Sequence, residues 1–436
     1  MKPQQRTILV TFAGRRDRME LLTRYVDAAI ERGLIDEWHV WEFSRTVADA
    51  RWLREKFPLT QATPNHGSEY FRLPRTLSAE TGSAKQSLQV RASHDVHIGL
   101  RRLTGSGGSY EIVLGGWNNQ LSAIRRFDDP ALLVDIAARH PQHAASVARN
   151  TPNLLPEFGF SSVEIEIGAD GLKVFFAGAL LLHEPRIAPG KFELLYRTGY
   201  GANGDWRFAG TDDIPARLFV SGRESYYPSD SVFYTLAYQY YAATREEYEN
   251  DIILKCDDDI VYFDLDGLAD FVAFRKANDG YFLVSANVVN NGVCAYLQQA
   301  MGAISREAME CELPEGGFGG SIWRDGAKAE ALHRLFLSNP AAFHVANAGT
   351  FAWNERVSIN FIALLGRDLV HIPDIMADDE HDLCYGVRKR AQRQNCIYLQ
   401  FVVSHLSFGP QDAAMDVRGV IEGYDALAAK RLAVTA

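Results

Sequence analysis

Paired cysteines are missing from this chain of 436 residues: its five, Cys256, Cys294, Cys311, Cys384 and Cys396, are scattered, odd in number and without Cys-x-x-Cys spacing. That usage suits a reducing compartment. Long apolar runs are missing too, the longest, Val174 to Leu182, being half of what a membrane span needs. The opening stretch, MKPQQRTILVTFAG, is too interrupted to read as a secretory signal. No sustained Lys/Arg run occurs, and 45 basic against 55 acidic residues leave a formal charge of -10, which argues against a nucleic-acid surface but not against a small positive pocket. No P-loop is present, which counts against NTP hydrolysis. These absences predict a cytoplasmic protein without a membrane span, for which docking at a membrane surface stays open.

What is present is an ordinary globular composition, 47% apolar and 23% charged, at a length that predicts two to three domains. Its most informative string is IILKCDDDIVYF, three consecutive acids (Asp257, Asp258, Asp259) between two apolar stretches. Ile252, Ile253 and Leu254 read as a buried strand, and carboxylates at its end are costly unless a cation or several donors meet them. A D-x-D pair suits one hard divalent cation, whereas the EF-hand spacing fails because Val261 and Leu268 fall at ligand positions and Tyr262 at the position of the invariant glycine. The competing reading is a solvated acidic turn.

Around that string the grammar is α/β. Residues 7 to 60 read as strand, helix, strand, with a capping box of Asp17 and Glu20, a helical stripe of Met19, Leu22, Val26 and Ile30, and a closing Gly33. After 211 come the strand RLFVSG, a helix from Ser231 to Glu247, the strand NDIILK, the strand YFLVSANVV, and a segment from Glu355 to Leu365 with helical spacing. Between them, from about 66 to 210, the period is two: Val96, Ile98 and Leu100 alternate, as do Val163, Ile165 and Ile167 before an Asp170-Gly171 turn. The segment 128 to 156 reads as helix and loop. The expected organisation is thus 1-62 and 211-436 as one α/β domain, split by a β-sandwich at 63-210.

The KCDDDIVYF string resembles the Lys-x-Asp-Asp-Asp element of galactosyltransferase-like glycosyltransferases of the GT-A fold, a Rossmann-like nucleotide-sugar-binding architecture. The resemblance covers roughly 7 to 60 and 211 to 410. It implies Mn²⁺ or Mg²⁺ held by Asp259, with Asp257 reaching the metal or the ribose, His405 as a third ligand in competition with His371 and His381, and Asp258 and Lys255 beside the nucleotide sugar. Lys255 either neutralises phosphate charge or faces water. Thr11, Gly14, Arg15 and Arg18 fall where such enzymes bind the nucleoside diphosphate. In ADDEHDL, Asp379 and then Glu380 are the candidates for the base that takes the acceptor hydroxyl proton, the alternative being a charged helix start. The implied activity is transfer of a hexose or N-acetylhexosamine from a UDP-sugar to a glycan or glycolipid, in cell-surface polysaccharide synthesis. Asn287, Asn290 and Asn291 are candidates to line the sugar pocket or form a plain turn.

The insert has its own resemblance. HDVHIGLRRLTGSGGSYEIVLGGWNNQLSAIRR and RTGYGANGDWRF are similar to the domain named for farnesoic acid O-methyltransferase, although the β-rich pattern lacks the strand, Gly loop and helix that a nucleotide-like methyl donor usually needs. A lectin-like sandwich is the expectation, with Trp117, Asn118, Tyr200 and Trp206 as glycan-binding candidates or as core aromatics. A non-catalytic carbohydrate-binding protein working through the sandwich is therefore the competing function.

Overall fold

The computed structural model describes residues 5–65, 70–138, 145–156, 158–200, 202, 204–208, 215–220, 234–345 and 349–433. It forms two compact units, Met1–Leu53 with Tyr226–Ala436, and Arg54–Ser225. The second unit interrupts the first, as the change of period predicts, and extends beyond the expected 63-210 at both ends.

The outer unit begins with β1 (Thr7–Ala13), buried along its whole length, and β2 (Glu37–Glu42), which pairs with it in parallel. A strand covered on both faces reads as an uninterrupted apolar run. The helix α1 (Arg16–Glu31) makes the crossover, burying Met19, Leu22, Val26 and Ala29 at helical spacing, and Gly33 closes it at φ +67°, a conformation natural to glycine. The expected capping box does not form. Arg15 is the N-cap, without a side-chain cap bond, while Glu20 pairs with Arg16 at 2.8 Å. Asp49, from outside the helix, accepts the Arg16 amide at 2.9 Å.

The inserted unit contains β3 (Leu59–Asn65), β4 (Phe71–Ser78), β5 (Ala84–Ala92), β6 (Val96–Arg102), β7 (Ser109–Gly115), β8 (Leu121–Phe127), β9 (Ala145–Asn150), β10 (Ser161–Gly168), β11 (Gly171–Phe176), β12 (Ala179–Glu184), β13 (Lys191–Thr198), β14 (Gly204–Phe208) and β15 (Ala216–Val220). One sheet runs β12-β11-β10-β5-β14-β3-β15, the other β4-β13-β6-β7-β8-β9. Val163, Ile165 and Ile167 point inward along β10, and the Gly168–Gly171 pair closes its hairpin with β11. The sheets meet through aromatics: Tyr196 of β13 lies 5.4 Å from the Trp206 ring and 5.1 Å from Phe208 on β14. Trp206 is fully buried and its indole N–H donates to Thr198 Oγ1 at 3.2 Å, so it is a core residue and not a sugar-stacking face. The expectation of helix and loop over 128 to 156 fails at β9, an edge strand whose residues are mostly exposed and carry no apolar signal.

The chain then completes the outer unit with β16 (Ile252–Asp257), β17 (Ile260–Phe263), β18 (Tyr281–Val289), β19 (Thr350–Trp353), β20 (Phe361–Leu365) and β21 (Gln394–His405). Within this unit the order is β2-β1-β16-β20-β18-β21-β17, with β19 on β21. The helical spacing read over Glu355 to Leu365 is overturned: β20 is a strand, antiparallel to both β16 and β18 and buried at every position. A short apolar run buried on both faces has no period from which to tell strand from helix. Of the helix expected from Ser231 to Glu247, Thr235–Ala243 is α-helical, and residues 231 to 233 lie outside the described residues.

The connections matter for function. From β1 the chain crosses to β2 on one side, while β16 lies parallel to β1 on the other, with Phe12 opposite Asp257. In open α/β sheets ligands bind where the strand order reverses in this way, at the carboxyl ends of the strands. Removing the sandwich's buried indole (Trp206→Ala) should cost about 3–5 kcal/mol; a denaturant melt of the variant matching the parent would reject the core role.

Candidate functional site

Two places assemble the candidate residues. At the carboxyl ends of β1 and β16, the Asp258 carboxylate accepts the backbone N–H of Gly14 at 2.7 Å and of Arg15 at 2.9 Å, and the Arg15 guanidinium at 2.8 Å. Gly14 permits this approach, since a Cβ there would lie 2.9 Å from the Phe43 carbonyl oxygen. Asp259 receives Arg18 at 2.5 Å and a second bond from Arg15. Asp257 is held by Lys255 and by the Asn360 amide at 2.8 Å. Lys255 is buried and also donates to the Ile359 carbonyl at 2.9 Å, so it neither faces water nor stands open to a phosphate.

The three acids are thus met by three of the chain's own cations. Burial pushes the Asp258 carboxyl up and outweighs Arg15; for Asp259, burial is overcome by Arg15 and Arg18, which hold it below the usual range. His405 is buried with Nε2 3.6 Å from Asp259 and Nδ1 without a partner among the described residues, and burial lowers its pKa to about 3, leaving it neutral.

This arrangement differs from the metal site expected. Asp259 and His405 adjoin, but Asp257 is turned to Lys255 and Asn360, and among the described residues no group of three His, Cys, Asp or Glu is placed to hold an ion. As arranged, the donor set does not fit a divalent cation. Arg15 and Arg18 serve the acids and present no open fork to a diphosphate. Thr11 is buried, its hydroxyl accepting the Trp38 indole N–H at 2.9 Å, so it supports β1 against β2 and does not face a ligand. Asn287 and Asn290 are also structural, bonded to the Leu399 and Leu406 carbonyls at 3.1 and 3.0 Å, while Asn291 caps the helix that begins at Gly292.

The second acidic cluster does approach the first. Asp378 caps the short helix that carries Asp379 and Glu380, and both of those side chains are half-buried. Burial pushes the Asp379 carboxyl up against the opposing pull of Lys255, with Asp257 adding to the rise. Burial likewise carries Glu380 up to about 7 despite Arg356, whose Nη1 is 3.4 Å away.

The second place is a pocket of about 360 Å³ in the sandwich, lined by Asp95, His97, Val113, Trp117, Asn118, Arg125 and Tyr200. Three of the four predicted glycan-binding residues meet here. Trp117 is 50% exposed and Tyr200 68%, large aromatic faces left to solvent. Trp117, Asn118 and Asn119 are consecutive residues at φ 53°, 57° and 61°, a left-handed run that costs roughly 1 kcal/mol or more at each position. Asn119 holds the run in place through two bonds to the Leu155 backbone, at 2.8 and 3.0 Å. Beneath the pocket, Glu111 is fully buried and accepts from Tyr70 at 2.6 Å and Arg125 at 3.0 Å, with His97 Nδ1 at 3.0 Å. Strand register builds this set, placing Arg125 opposite Glu111 and both Arg197 and Val113 opposite His97. Asp95, His97 and Arg125 were missed by the sequence reading. Asp95 stands just before β6 at φ 54°, outside the alternation of that strand, so no linear spacing pairs it with His97.

Comparison with known proteins finds a match for residues 64–209 to the family model described as farnesoic acid O-methyltransferase. No curated protein matches. Among solved structures, the carbohydrate-binding module CBM66 of Bacillus subtilis is 10% identical, covering 32% of this chain and 77% of that one at a TM-score of 0.22. Galectin LEC-6 of Caenorhabditis elegans is 10% identical over 35% of this chain and 96% of its own, at 0.24. A tetrameric galectin from the ball sponge Cinachyrella is 12% identical over 33% and 95%, at 0.22. No helix among the described residues is long and apolar enough to cross a membrane.

The raised Glu380 pKa has a consequence for stability. The unfolded carboxyl ionises near 4.5 and the folded one near 7, so between those values the folded state holds more protons and loses stability as pH rises. Glu380→Gln should therefore melt progressively higher than the parent from pH 5 to pH 8; a constant difference in Tm across that range would contradict the buried-carboxyl assignment.

Proposed function

We propose that this is a carbohydrate-binding protein that acts through the sandwich pocket. The observation that carries this reading is the pairing of exposed Trp117 and Tyr200 with convergent polar groups, on a backbone held in a costly conformation. Aromatic faces pack against the C–H surfaces of sugars, while Asp95, His97 and Asn118 supply donors and acceptors for hydroxyls. Strain that the surrounding structure over-determines is characteristic of ligand clamps. The proposed partner is a glycan. On an array of glycans, the full chain should bind a defined subset, and Trp117→Ala should lose that binding while keeping its circular dichroism spectrum. No bound glycan, or unchanged binding by the variant, would reject this reading.

A second reading is favoured by the place of the acids in the outer unit. Asp257, Asp258 and Asp259 stand at the strand-order reversal, with Asp379 and Glu380 nearby, where a nucleotide-sugar transferase of the GT-A kind would work. In that reading a UDP-hexose or UDP-N-acetylhexosamine is the donor, a surface glycan or glycolipid the acceptor, and Mn²⁺ or Mg²⁺ the cofactor, bound only after Arg15, Arg18 and Lys255 are displaced from the acids. Glu380, with its pKa near neutrality, is tuned for a general base, and Asp379 is the alternative. Because the chain's own cations satisfy the acids, the metal requirement is tested directly: calorimetry with UDP should show heat only when Mn²⁺ is present and less in Asp259→Ala. Absence of binding, or an unaffected variant, removes the transferase reading and leaves glycan binding intact.

A further inference from the structure

We propose that the sandwich pocket is selective for one neutral sugar ring and turns away acidic sugars. This inference rests on the glycan-binding reading above and concerns which saccharides the pocket accepts. The volume, about 360 Å³, is at the small end of the 300–1,000 Å³ range of ligand pockets and suits a single ring better than a stretch of chain.

The charges in and beneath the pocket decide the rest. Recognition of a carboxylated or sulfated sugar calls for a cation with its fork open to the ligand. Both guanidiniums here already have an anionic partner in buried Glu111: Arg125 at 3.0 Å and Arg197 at 3.7 Å. Arg125 also stacks on the Trp117 ring at 5.3 Å, and Arg197 contacts His97 Nδ1 at 3.1 Å. The anion at the cavity wall is Asp95. Burial opposes its charge, yet His97 and His94 together hold its pKa below the usual range, so it is ionised at neutral pH. An acidic sugar would bring its own charge against Asp95 in a partly desolvated site.

A neutral sugar meets the opposite situation. His97 is 1% exposed, and its Nε2 lies 3.8 Å from Asp95 Oδ1, too far for a full hydrogen bond, with no other hydrogen-bond partner among the described residues. A buried polar atom without a partner is costly, and a ligand that pairs with it recovers that cost. A hydroxyl both donates and accepts, so one set between these atoms donates to the Asp95 carboxylate and accepts from His97 Nε2–H, in the tautomer whose Nδ1 accepts from Arg197. A ring oxygen cannot do both, and neither can a carboxylate.

Isothermal titration of the full chain with neutral methyl hexosides and with the corresponding methyl hexuronides tests this without any variant. Binding of at least one neutral hexoside, tighter by tenfold or more than its uronide, is the expected result; equal or tighter binding of the uronide overturns the selectivity. Asp95→Asn, checked for an unchanged melting temperature, should weaken the neutral sugar about tenfold, the loss of one charge-assisted hydrogen bond, and narrow the gap to the uronide. An unchanged gap in the folded variant also overturns the role given to Asp95. Failure of every saccharide, neutral and acidic, is the separate result that defeats glycan binding itself.

Discussion

A row of three carboxylates at the end of a buried strand has to be met by positive charge, and in this protein the chain meets it internally. Asp258 takes the two backbone amides that open the turn after β1, and with Arg15 it ties that turn to β16. Arg18 of α1 fixes Asp259, and Lys255 fixes Asp257 from within the same strand. The crossover from β1 into α1, the start of that helix and the end of β16 therefore share one electrostatic cluster. A buried charge stripped of its partner is far more costly than the pair is worth, so these residues are interdependent.

The same cluster constrains function. Acids already satisfied by guanidinium and ammonium groups are poor ligands for an incoming cation until those groups are displaced. In the sandwich the logic runs the other way. Its buried charges balance around Glu111, but the pocket above keeps an imidazole nitrogen that is unpaired among the described residues, and two exposed aromatic faces. One site is complete without a ligand, while the other has unmet hydrogen-bonding capacity and a strained loop held open around it.

Much of this was legible because it rests on local chemistry. The helix α1, the hairpin at Asp170-Gly171 and the change from helical to alternating period are patterns of neighbouring residues, and each marks its element. The misreadings share a physical cause. β20 is buried on both faces and β9 is mostly exposed, so neither alternates; Trp206 and Trp117 are the same residue type in similar Gly-rich surroundings, and burial separates them.

The sequence by itself determined that an α/β unit is interrupted by a β-rich one and that three acids end a buried strand, because composition and periodicity report which faces are buried. Only the tertiary structure decided which groups those acids meet, and that Asp95, His97 and Arg125 join Trp117, Asn118 and Tyr200 in one pocket. Such pairings depend on strand register and on contacts between residues far apart in the chain, and a linear pattern carries no information on either.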